Sequence, residues 1–153
     1  MKNSYKYCPE DPMKLAIKLA EFACSKGEIP VGCVLIDKNK KLVSYASNLK
    51  EYSFDPTGHA EIIAIRKACK KLKTTKLTGF SIYVTLEPCQ MCQALIISTG
   101  IKNVFFGAHS ENLIIHKNKI KNYFNNKKNY EYLGGFNEDY CSELIIKSFK
   151  KKR

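Results

Sequence analysis

Apolar side chains recur at Met13, Ile17, Ala20 and Cys24, the spacing of one helical face, between Asp11-Pro12 and Gly27. The chain then changes period. Residues 29–36 are a short apolar run with two β-branched valines, residues 37–40 (Asp-Lys-Asn-Lys) read as a hairpin turn, and residues 41–47 alternate as a return strand. A stretch rich in turn formers ends at Asp55-Pro56-Thr57-Gly58 and leads into a second helix over 59–72. Residues 80–86 predict a buried strand. Pro88 suits the first turn of a third helix, where a missing N–H costs nothing, and that helix runs to about Thr99 before Gly100 stops it. Val104-Phe105-Phe106 starts a fourth strand, residues 130–133 predict a last one, and residues 137–151 close the chain as a helix with Cys141, Leu144, Ile145 and Phe149 on one side.

Strands alternating with helices predict an α/β fold, a sheet covered on both faces in a three-layer α/β/α sandwich. A length of 153 residues suits one domain over 1–153, and neither a linker nor an internal repeat interrupts it. Only the Lys/Asn-rich segment 112–129 gives no clear element.

Composition narrows the class. Hydrophobic residues make up 44% and charged ones 26%, ordinary for a globular protein. No run approaches the roughly 18 apolar residues of a spanning helix, and the first residues lack the apolar stretch of a secretory signal, so no membrane role and a cytoplasmic location are expected. In that reducing setting the seven cysteines are core residues, metal ligands or nucleophiles rather than disulfides. Cys24, Cys33, Cys69 and Cys141 stand singly among apolar neighbours and read as core, and Cys8 reads as a loose residue near the terminus. Cys89 and Cys92 alone form a C-x-x-C pair. The net charge of +12 admits two readings, a nucleic-acid partner or the codon bias of an AT-rich genome. Of the 26 basic residues only Arg66 and Arg153 are arginine, which keeps the second reading open.

The chemistry lies in His59-Ala60-Glu61 at one helix start and Pro88-Cys89-Gln90-Met91-Cys92 at another. Zinc favours nitrogen and thiolate in tetrahedral array, and two cysteines three apart on a helix turn their sulfurs the same way. A helix start also stabilises thiolate. With His59 as third ligand the set lacks a fourth, because Cys69 lies nearly three turns along the helix. A structural zinc would be closed by a fourth protein ligand; here the position falls to water, whose pKa zinc lowers to roughly 7. Glu61, about 200° around the helix from His59, is turned away from the ion itself but can lean over the open position and move protons. Taken alone it would be a solvated carboxylate favouring the helix dipole. No organic cofactor is expected.

His-x-Glu followed by Pro-Cys-x-x-Cys resembles the cytidine-deaminase-like zinc deaminases, a family that serves as a general example of base-flipping chemistry. Within it the chain is similar to the bacterial tRNA adenosine deaminases, through Ile29-Pro30-Val31-Gly32, the segment from Asp55 to Ile62, Tyr83-Val84-Thr85-Leu86-Glu87-Pro88-Cys89 and Phe106-Gly107-Ala108. The resemblance covers about residues 10–108 well and 137–153 moderately. It implies a mixed five-stranded sheet between helices, one zinc per chain, a homodimer, and conversion of adenosine to inosine at the wobble position of a tRNA anticodon stem-loop. It also implies that Asn48, by sequence alone a turn residue, touches the target nucleotide. The text departs from the family after Ala108, where an acidic residue and a glycine-containing loop are usual and this chain has His109-Ser110-Glu111-Asn112-Leu113-Ile114.

Two other readings use the same residues. One is a deaminase of a free base or nucleoside, guanine or cytosine in type, which needs no extended basic face. The other is a zinc-clamped RNA-binding module without catalysis, which requires a fourth protein ligand and no dependence on Glu61.

Overall fold

The computed structural model of the chain describes residues 10–113, 122–124 and 127–152. Cys8, Arg153 and the parts 114–121 and 125–126 of the segment without a clear element lie outside the described residues. Helix α1 spans Pro12–Ser25, its first turn closed by Asp11, whose carboxylate accepts from the Met13 and Lys14 N–H groups. Strands β1 (Gly32–Ile36) and β2 (Leu42–Ser47) form the expected hairpin, and α2 (Ala60–Leu72), β3 (Ser81–Leu86), α3 (Gln90–Ser98), β4 (Asn103–Ala108), β5 (Glu131–Leu133) and α4 (Glu138–Lys151) follow. A 3-10 turn over Ser110–Leu113 follows β4.

The five strands make one mixed sheet in the order β2-β1-β3-β4-β5. β1 runs antiparallel to both β2 and β3, with Cys33 opposite Val84, whereas β3, β4 and β5 are mutually parallel. All five residues of β1 are buried, as a strand covered on both faces must be. Its side chains alternate between two cores. Cys33 and Leu35 join Ala64 and Ile65 of α2 and Ile96 of α3, while Val34 and Ile36 join Met13, Ala16 and Ile17 of α1 and Cys141 of α4. The three-layer sandwich read from the strand–helix alternation is therefore the architecture found.

Three details differ from the sequence reading. His59 and Cys89 are not inside their helices but are the cap residues just before them, in extended conformation, their carbonyls accepting the Ile63 and Gln93 N–H groups. Pro88 consequently stands ahead of α3 rather than in its first turn. Cys24 and Cys69 are only half-buried, because each falls at the rim of its helix's covered face, whereas Cys33 and Cys141 are in the core.

Contact between α1 and β1 is close enough to demand glycine. A Cβ built on Gly32 would stand 1.9 Å from the Ala16 carbonyl oxygen and 2.8 Å from the Ala20 nitrogen, both backbone atoms. Gly32→Ala should therefore push α1 off the sheet and cost about 3 kcal/mol, the upper end of ordinary overpacking. Thermal unfolding should register this as a drop on the order of 10 °C; an unchanged midpoint would mean that helix and strand can separate freely.

Candidate active site

Two helix starts and the loop after β2 meet at one end of the sheet. The loop leaving β3 carries Cys89 to the start of α3, and the loop leaving β2 carries Asn48 and, eleven residues on, His59 to the start of α2. Neither His59 nor Cys89 uses its side chain to cap its own helix, although each holds the cap position. The two side chains face each other instead. The His59 Nδ1 lies 3.6 Å from the Cys89 sulfur and 3.5 Å from the Cys92 sulfur. Nitrogen and sulfur bound tetrahedrally to one zinc, at about 2.0–2.1 and 2.3 Å, stand about 3.6 Å apart. Both nitrogen–sulfur pairs thus already have the spacing that the ion requires, and all three donors lie within 4.8 Å of one another. No other His, Cys, Asp or Glu among the described residues joins the group.

The protonation pattern is that of a group of donors a cation would hold together. Cys89 is held down to about 4, chiefly because the Cys92 thiol donates to its sulfur, with His59 adding to the effect. Cys92 keeps that shared proton, so its own pKa is pushed far up, by the same hydrogen bond and then by burial. The bond to Cys89 raises His59 above its ordinary value. A dication among these groups would take over the work of the protons, which must leave for it to bind.

Glu61 sits one residue inside α2 and is only 4% exposed, so the solvated-carboxylate reading fails. Burial raises its pKa to about 7. It lines, with His59, Cys89, Asn48 and Phe149, a cavity of about 300 Å³, and this is where every residue singled out in the sequence converges except the buried Cys92 behind it. That volume accepts a single base rather than a stack of them. Asn48 is buried at the cavity wall, its backbone N–H bonded to the Val31 carbonyl and its side-chain amide 3.5 Å from Glu28.

Three polar residues of the site went unread in the sequence. Glu28, 2% exposed, accepts from the backbone N–H groups of Glu51 and Tyr52 and so fixes the loop that carries Asn48. Gln93, fully buried on α3, donates to the Pro88 carbonyl and accepts from the Tyr123 N–H. Glu87 lines the cavity and binds Ser110 and Tyr132. A single acid or amide in an apolar run carries no spacing signal; only for Glu87 was there one to find, its place directly before Pro-Cys-x-x-Cys.

Residues 6–108 match the family model of the cytidine and deoxycytidylate deaminase zinc-binding region. The chain belongs to this family. It is 41% identical to a tRNA-specific adenosine deaminase of Rickettsia bellii over 92% of its length and 98% of that protein's, and 36% identical to that of Haemophilus influenzae over 94% and 84%. Among solved structures it is similar to one from a study of A-to-I editing by tRNA:A34 deaminases, with a TM-score of 0.77 and 31% identity, covering 87% of this chain and 97% of that one. A guanine deaminase of Bacillus subtilis is more distant, at a TM-score of 0.62 and 27% identity over 80% and 97%. The family is zinc-dependent and hydrolytic, so the chain is a zinc hydrolase and the His-Cys-Cys group is the set of residues that could hold its ion.

Purified enzyme should carry about one zinc per chain by elemental analysis. Cys89→Ala should lose the metal and lower the unfolding temperature, since binding energy is folding energy. Acid should also strip the ion, because His59 and both cysteines bind only when deprotonated. A colorimetric chelator should therefore capture zinc much faster at pH 5 than at pH 8. Zinc retained by Cys89→Ala would remove this cysteine from the ligand set.

Proposed function

We propose that the enzyme hydrolyses adenosine to inosine at the wobble position of a tRNA anticodon, with His59, Cys89 and Cys92 holding one zinc, Glu61 moving the protons and Asn48 holding the target nucleotide. The observation that carries the chemistry is a three-donor metal set beside a buried carboxylate in one base-sized cavity. Zinc, when bound, supplies an acidified water at the coordination position that the protein leaves open.

The chain's own residues do the rest. Glu61 takes a proton as the water oxygen attacks C6 of the purine and delivers one to the C6 amine as the C–N bond breaks, releasing ammonia. Enclosure of the cavity by Leu86, Val31 and Phe149 excludes bulk water from the ring and strengthens each polar contact made to it. Asn48 presents an amide to the base edge from a wall that Glu28 keeps in place.

Substrate identity rests on the relatives, whose names specify tRNA. A cavity of this size also suits a base taken out of its stack, and a base in an anticodon loop is already partly unstacked. Phe149, at the cavity wall, can stack on a base, and Lys50, which also lines the cavity, and the lysines ending α4 can meet phosphate. Such a substrate places the enzyme in the cytoplasm. We further propose a homodimer through α3, where Met91 is 38% exposed at the head of a helix otherwise rich in apolar residues; sedimentation reads this directly.

Glu61→Ala should keep its zinc and its fold and lose at least about 10²–10⁴ of turnover. A near-normal rate would leave Glu61 without a catalytic part. Inosine should form on an anticodon stem-loop much faster than ammonia is released from free adenine, guanine or cytosine. RNA activity below saturation should fall steeply with salt, each phosphate contact adding about 0.7 to the log–log slope. Fast free-base turnover with an untouched stem-loop would keep the chemistry and replace the substrate.

A further inference from the structure

Two carboxylates line the cavity, and their surroundings differ. Glu61 is buried with a raised pKa. Glu87 has both oxygens engaged by donors: Oε2 accepts from the Ser110 N–H at 3.0 Å and the Ser110 hydroxyl at 2.8 Å, and Oε1 accepts from the Tyr132 hydroxyl at 3.1 Å. Burial and the Glu87 charge push the Tyr132 phenol well above its ordinary range, so it stays a donor.

Glu87 joins three segments that are distant in sequence. It stands two residues before Cys89, Ser110 opens the 3-10 turn after β4, and Tyr132 is the middle of β5. Its backbone N–H is also bonded to the Ala108 carbonyl, 2.9 Å away. Ser110 is itself buried and lines the cavity, so the tie passes from the loop bearing a metal ligand to a wall against which a base must lie. The residues after Ala108 are thus held through the main-chain N–H and hydroxyl of a serine.

We infer that Glu87 is a positioning residue, which fixes the Ser110 wall against the Cys89 loop and thereby sets how tightly the enzyme holds the nucleotide carrying the reacting base. The inference rests on the deaminase reading of the cavity. It assigns Glu87 no proton transfer, since every contact it makes is to a donor that must keep its hydrogen. Glutamine in its place can still accept both Ser110 bonds with its carbonyl and donate to the Tyr132 oxygen, whereas alanine can do neither.

The test compares zinc-loaded Glu87→Ala, Glu87→Gln and Ser110→Ala on the anticodon stem-loop. Glu87→Ala should keep one zinc per chain and raise KM about tenfold with kcat within a few-fold, as expected for lost binding common to ground and transition states. Glu87→Gln should restore most of that loss, and Ser110→Ala, which keeps its N–H, should show about a threefold rise. The double variant Glu87→Ala/Ser110→Ala should be no worse than Glu87→Ala alone. Amide hydrogen exchange supplies a readout independent of any substrate: Glu87→Ala should speed exchange across residues 109–112 at least tenfold and leave α2 unchanged.

An unaltered KM and unaltered exchange in Glu87→Ala, strict additivity with Ser110→Ala, or failure of Glu87→Gln to rescue would overturn the inference. Zinc loss as the sole defect would do the same, since the residue would then serve only the metal loop. If Glu87→Ala does not fold, Ser110→Ala and Tyr132→Phe carry the exchange measurement, and neither altering residues 109–112 would refute it. Should the parent enzyme ignore the stem-loop, the tRNA reading fails by itself, and the same variants are compared on whichever free base is turned over.

Discussion

Everything at the active end of this protein depends on crowding an imidazole and two sulfurs to within hydrogen-bond distance at a site where only Cys92 is fully buried. Unaided, three such groups repel or compete for protons, and a cation held among them would reconcile them. Two helix starts favour the arrangement further. Both α2 and α3 point their unpaired N–H groups at the site, and their dipoles stabilise negative charge there. The caps of these helices are sacrificed to this purpose, since His59 and Cys89 occupy the cap positions without bonding to their own first turns. A typical cap is worth about 1 kcal/mol, which metal binding, on the order of 10 kcal/mol for structural zinc sites, can readily offset.

The same arrangement explains how much of the molecule could be read from its sequence. Metal ligation restricts residue type and spacing severely, so His59, Cys89 and Cys92 stood out against a background of singly placed cysteines, and the structure gathers those three. The sheet was legible because β1 is buried along its whole length and β3 at Ile82, Val84 and Thr85, so that both read as short, largely apolar or β-branched runs. Helix starts were legible to within a residue or two. What misplaced Pro88 was the assumption that proline begins a helix, when here Cys89 needed the cap position to turn its sulfur outward.

Polar residues with a partner far along the chain left no trace. Glu28 is held by backbone amides more than twenty residues away, and Gln93 by one at Tyr123. Nothing periodic marks such residues, because their role is fixed by the fold and not by neighbours. Asn48 shows the intermediate case: resemblance pointed to it, and its burial at the cavity wall follows from the β1–β2 pairing that ends at Ser47. Half-burial of Cys24 and Cys69 is a matter of helix rotation by a few tens of degrees, too fine for an apolar pattern to specify.

The site lies at one edge of the sandwich, outside the two faces on which the helices pack. Packing and chemistry therefore answer to separate constraints. Residues such as Val34, Leu35 and Ile65 can be exchanged for others of similar volume without reaching the reacting atoms, and the loops after β2 and β4 can be rewritten without unpacking the sheet. The frame is thus a platform that fixes where the loops begin and end, and those loops decide which groups stand around the corner formed by His59, Cys89 and Cys92.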